Sequence, residues 1–117
     1  MPVRMHVELV YDPGCPNVAR AREVLATALR ANGVPAVWAE WRTDDPALPK
    51  YAEGLGSPTI LVNGNDVAPG PHPWAPREAA DAPRARVYVD ERGRRTGVPP
   101  TSQVTAAVLR ALSPDVG

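Results

Sequence analysis

"VYDPGCPNVARA", residues 10–21, holds the only cysteine of a 117-residue chain, and the fold follows from how it is read. The apolar run ending at Tyr11 passes through Asp12-Pro13-Gly14 into a segment whose apolar residues recur at helical spacing. Val18, Ala21, Leu25, Ala28 and Leu29 form that stripe, which predicts a helix over 16–32. Pro16 suits the first helical position, where a missing N–H costs nothing, and Asn32-Gly33 supplies a left-handed stop. The preceding run HVELVYD (6–12) predicts a largely buried strand. Cys15 therefore falls where a strand gives way to a helix N-terminus.

Working outward, AVWAEW (36–41) predicts a second strand, with Val37, Ala39 and Trp41 on one face and Trp38 and Glu40 on the other. DDPALPKYAEGLG (44–56) suits a short, proline-interrupted helix over 46–53. TILVNG (59–64) predicts a third strand ending in an Asn-Gly turn, and ARVYVDERGR (85–94) a fourth, closed by a glycine turn. TSQVTAAVLRAL (101–112) predicts a last helix with a Thr or Ser cap and a stripe at Val104, Val108, Ala111 and Leu112. The order is β-α-β-α-β-β-α. A right-handed crossover makes the first two strands parallel, and the third and fourth pair antiparallel. The expected α/β architecture is a four-stranded mixed sheet in the order 2-1-3-4, one domain over 1–112 with a flexible tail at 113–117. Loop 66–84, with five prolines, is too long for a plain hairpin connection and is expected to be a lid, a partner-binding loop or slack.

Lys plus Arg and Asp plus Glu both number 13, so the formal net charge is zero. The one basic cluster, Arg92, Arg94 and Arg95, is broken by Gly93 in an expected turn. This leaves no electrostatic footprint for nucleic acid or anionic lipid, and neither is expected as a partner. No apolar run approaches the length of a membrane span, and the first residues lack the apolar core of a signal peptide, so a cytoplasmic protein is expected. A single cysteine excludes an internal disulfide, and His6 and His72 make a poor metal set, so no metal is expected. GLGSP (54–58) lacks a third glycine and leads into a strand, which argues against dinucleotide binding. Phe is absent, Lys occurs once, and the bias toward Ala, Arg, Pro and Val resembles that of a GC-rich genome.

Two short motifs, GCPNV (14–18) and GSPT (56–59), stand 43 residues apart from Cys15 to Pro58, with one helix, one strand and one short helix between them. With the element order, they resemble the thioredoxin-like fold. Over nearly the whole chain the sequence is similar to small actinobacterial thioredoxin-family proteins, some of them known as relatives of alkylmercury lyase. The resemblance implies a thiol at Cys15 and a cis-proline at Pro58 facing it. Two departures are plain: Val18 stands where the second cysteine of Cys-x-x-Cys belongs, and Pro83-Arg84-Ala85-Arg86 carries no cysteine before the last strand.

At a helix start, unpaired N–H groups favour a thiolate, the form that attacks disulfides, electrophiles and soft metals. Cys15 is the candidate catalytic nucleophile, with Gly14 and Pro16 shaping its turn. Ser57, Pro58 and Thr59 are candidate substrate contacts, and His72 and Trp74 of the long loop a candidate base and apolar wall. The plainer alternatives are an inert buried cysteine, an ordinary proline opening a strand, and a solvated loop histidine. For His6 and Glu8, core or edge pairing is expected rather than catalysis. The functional expectation is a monothiol oxidoreductase or thiol transferase that works by mixed-disulfide exchange. It would have no resident cofactor, a low-molecular-weight thiol as possible co-substrate, and a small-molecule or protein thiol or disulfide as partner. The alternatives are a non-redox small-molecule-binding protein or metabolite enzyme, with a pocket at Cys15, Pro58 and loop 66–84, and mercury or electrophile handling.

Overall fold

The structure, a computed structural model, describes residues 5–68 and 87–112. Its elements run β1 (Val7–Tyr11), α1 (Val18–Ala31), β2 (Ala39–Arg42), a single 3₁₀ turn (Lys50–Ala52), β3 (Thr59–Val62), β4 (Asn65–Asp66), β5 (Tyr88–Val89), β6 (Arg95–Thr96) and α2 (Thr101–Leu112). β2 lies parallel to β1, while β3 pairs antiparallel with β1 and with β4. The result is a four-stranded mixed sheet in the order β2-β1-β3-β4, with two helices.

The period-two pattern of β1 sorts its side chains between two cores. Val7 and Leu9, with Ile60 and Val62 of β3, face α1 and α2. Val10 and Leu61 face the other way, onto Ala52, Leu48, Leu55 and Trp41. α1 buries Val18, Ala21, Leu25, Ala28 and Leu29, the stripe its sequence predicts, and Val24 in addition. It ends in a Schellman motif, in which the Val34 N–H reaches Leu29 O, the Gly33 N–H reaches Arg30 O, and Gly33 sits at φ +71°. The Asn32 amide adds bonds to Ala28 O and, across to α2, Thr105 O. In α2, Val104 and Val108 are buried as expected, but Ala107 completes the buried face and Leu112 is only half-buried.

Several boundaries differ from the sequence reading. α1 starts at Val18 with Asn17 as its cap, so Pro16 lies outside the helix rather than at its first position. The segment 46–53 forms only the 3₁₀ turn, because Pro46 and Pro49 lack N–H groups and Pro49 is extended at ψ 151°. β2 begins at Ala39, so Val37, expected within the strand, precedes it and is 74% exposed. α2 is preceded by Pro100 and has no Thr or Ser at its cap; Ser102 Oγ instead donates to the Glu91 carboxylate at 2.6 Å.

The largest difference is the identity of the fourth strand. Asn63 (φ 53°) and Gly64 (φ 80°) form a two-residue hairpin turn that folds Asn65–Asp66 straight back onto β3. The expected strand over 85–94 is instead one arm of a separate ribbon, β5 with β6. Asp90 builds the ribbon turn: its carboxylate accepts the Arg92 and Arg94 N–H groups, and its carbonyl accepts that of Gly93. Most of loop 66–84, with His72 and Trp74, and the tail 113–117 lie outside the described residues.

Candidate functional site

Val10 of β1 pairs with Thr59 of β3, so the chain leaving β1 and the chain entering β3 meet at one end of the sheet. The first carries Cys15 and the second Pro58. Pro13-Gly14 turns the chain after β1: Gly14 takes φ +78° and the Cys15 N–H returns to Asp12 O at 3.1 Å. Proline followed by a positive-φ glycine suits a type II turn. Cys15 is a free, half-buried thiol packed against the main core, and Pro16 beside it is exposed.

Asp12 is the junction of this end. Its N–H donates to Ser57 Oγ at 2.9 Å, its carbonyl accepts the Cys15 N–H, and its Oδ1 accepts the Thr43 hydroxyl at 2.6 Å. The Ser57–Pro58 peptide is cis. Thr59 Oγ1 donates to Gly56 O at 2.7 Å, and the buried Tyr88 hydroxyl donates to Pro58 O. Ser57 and Thr59 are fully buried, and Pro58 is less than 2% exposed. The candidate substrate contacts Ser57, Pro58 and Thr59 are therefore buried and not open to an extended peptide.

The site differs from the sequence reading in a second respect. Cys15 lies three residues before the first helical residue, outside the helix and not at its start. Asn17, the cap, makes no side-chain capping bond; its amide lies against Gly97, where an added Cβ would sit 2.4 Å from Nδ2. The segment before α2 thus closes on the start of α1. Beside it, a cleft of about 290 Å³ is lined by Arg20, Val24, Asp90, Val98, Thr101 and Ser102.

Arg22 of α1 has two defined partners, Tyr11 and Glu40. It stacks over Tyr11, 5.7 Å from the ring centroid, and grips Glu40 with bonds of 2.9 and 2.8 Å. The Glu40 bond raises the Arg22 pKa, with burial opposing; the same bond lowers that of Glu40, helped by the Trp38 indole N–H. Among the described residues no group of three or more His, Cys, Asp or Glu is placed to hold a metal ion, and no helix is long and apolar enough to cross a membrane. Sequence reasoning missed Asp12, Thr43, Asn17 and Tyr88, which act through single hydrogen bonds or contacts between distant segments and leave no periodic signal. No protein-family model, curated protein or solved structure matches the chain.

Proposed function

We propose that the protein is a thioredoxin-like monothiol oxidoreductase or thiol transferase with Cys15 as its nucleophile. The observation that carries this reading is the junction at Asp12, which ties a half-buried free thiol to the loop of the cis Ser57–Pro58 peptide. The Cys15 thiolate attacks one sulfur of a disulfide R–S–S–R′. A Cys15–S–S–R bond forms as the old S–S bond breaks, and R′S⁻ leaves and takes up a proton. A second external thiolate, R″S⁻, then attacks the R sulfur, giving R–S–S–R″ and regenerating the Cys15 thiolate. With no second cysteine in the chain, both partners are external. Burial of Ser57, Pro58 and Thr59 favours a compact, low-molecular-weight thiol over an extended polypeptide.

The test is exchange between a mixed disulfide of a small thiol and excess free thiol, followed with wild-type protein and Cys15→Ser. The expected result is a rate above the buffer reaction, a Cys15 adduct in the intact mass, and loss of both in the variant. A wild-type rate equal to the buffer reaction overturns the reading. A second reading, a non-redox small-molecule-binding protein, is favoured by the cleft between α1 and the start of α2, which does not include Cys15. Ligand-induced thermal stabilisation that survives Cys15→Ser, without exchange activity, would select it.

A further inference from the structure

β2 forms one edge of the sheet, pairing with β1 and with no other described strand. The Thr43 N–H donates to Tyr11 O at 2.9 Å. Because backbone polar groups alternate in direction along a strand, those of Glu40 and Arg42 point away from β1. Side chains alternate as well. Glu40 lies on the α1 face, bonded to Arg22, and Trp41 lies on the other. There the Trp41 indole N–H donates to Glu8 Oε2 at 2.9 Å, and the Tyr51 hydroxyl donates to the same oxygen.

Glu8 is 1% exposed, and its other oxygen, Oε1, has no hydrogen-bond partner. A buried carboxylate with a bare oxygen is costly. Its structural effect is to fix two aromatic side chains side by side at the open edge, with Tyr51 54% exposed and Trp41 half-buried. Aromatic rings already held in place lose little freedom when covered, which is how interface anchors behave.

We propose that this edge is a docking surface for a second copy of the chain, with the two β2 strands antiparallel about a two-fold axis at Trp41. In that register Glu40 faces the partner's Arg42, and Arg42 faces the partner's Glu40. Opposite charges one residue either side of Trp41 make the edge self-complementary, whereas like charges there would repel a second copy. The two Trp41 rings meet across the axis with Tyr51 beside each, giving an aromatic centre inside a charged rim. The Arg42 carbonyl already accepts the Asp45 N–H at 3.0 Å, so the ladder is carried by the Arg42 N–H of each chain donating to Glu40 O of the other.

The test is the mass of the full chain in solution over micromolar to near-millimolar concentration. Twice the 12.5 kDa chain mass is expected for the wild type at the upper end. Arg42→Glu, at a side chain paired among the described residues with Asp44 at the surface, is expected to weaken association about tenfold or more. Glu40→Arg should do the same, and mixing the two variants should give a heterodimer, because each supplies the charges the other lacks. Amide exchange at Arg42 in the wild type should slow as concentration rises. A wild type that stays monomeric, a dimer indifferent to Arg42→Glu, or a mixture that forms no heterodimer overturns the proposal.

Discussion

Tyr88→Phe removes the hydroxyl that joins the ribbon to the loop beside the thiol. The Tyr88 side chain is 2% exposed, and its hydroxyl donates to Pro58 O, thirty residues away. Phenylalanine keeps the ring and deletes one oxygen, so the packing loss is small. The loss includes the bond to Pro58 O, which leaves that carbonyl buried without the Tyr88 donor on a residue less than 2% exposed. A typical net hydrogen bond contributes about 0.5–1.5 kcal/mol, and an orphaned buried group costs about 1–3 kcal/mol, so destabilisation of about 1–3 kcal/mol is expected. With a urea m-value of about 1–3 kcal/mol/M, the midpoint should fall by about 1 M at unchanged m. Equilibrium urea unfolding followed by far-UV circular dichroism measures this directly. Pro58 adjoins Ser57, which accepts the Asp12 N–H, so the variant should also alkylate faster at Cys15 under native conditions, through local opening. A midpoint within about 0.2 M of wild type at the same m would refute the assignment of this bond.

The contact between Asn17 and Gly97 predicts that Gly97→Ala displaces the Asn17 amide, which the new Cβ meets at 2.4 Å, at a cost of less than about 1 kcal/mol because that amide ends a flexible side chain with no capping bond. Asn17→Ala in the same chain should recover much of that loss, a coupling readable in a double-mutant cycle. Glu40 has its pKa lowered in the folded chain, first by the bond from Arg22. Its contribution is therefore present above the ordinary value of 4.5 and is lost as pH falls through the lower folded value. Arg22→Ala should flatten that acid limb by about 0.5 kcal/mol, a small amount because the pair is partly solvated, as urea midpoints between pH 3 and 6 would show. Tyr51 shifts the other way: its bond to Glu8 raises the phenol pKa, so it should ionise above 10.0, with stability falling as pH rises through that value. Ultraviolet titration should show one phenol returning toward 10.0 in Glu8→Leu.

The helices were the most legible part of the sequence, because each buries one apolar stripe and its period is explicit. α2 has the predicted bounds, and Asn32-Gly33 stops α1 as expected. The 2-1-3-4 order also follows from the element order, but the assignment of its last strand turned on Asn63-Gly64. That dipeptide is a strong hairpin signal, and two residues beyond it suffice to pair with β3. The longer, more β-branched run at 85–94 outweighs those two residues in any count of propensity. It nevertheless spends its hydrogen bonds on its own ribbon, where Asp90 closes the turn. Propensity identifies which residues favour extended backbone; which neighbour they pair with depends on turn geometry.

The candidate site divides in the same way. The turn at Pro13-Gly14 and the thiol after it are legible because proline and positive-φ glycine fix backbone directly. The bonds that hold the turn are not: Asp12 gathers Cys15, Ser57 and Thr43 from three segments, and each bond is a single tertiary event. Glu8 is the sharper case. A strand reading HVELVY places an acid where the alternation calls for an inward side chain, and the pattern alone assigns it to ordinary pairing. The structure keeps it buried by supplying a Trp N–H and a Tyr O–H from β2 and the 3₁₀ turn, while one oxygen stays bare. An apolar residue there would remove that cost and would also free both rings from their fixed positions. Retaining a carboxylate at 1% exposure makes physical sense when the orientation of Trp41 and Tyr51 has a use, and the open β2 edge they border is where that use lies.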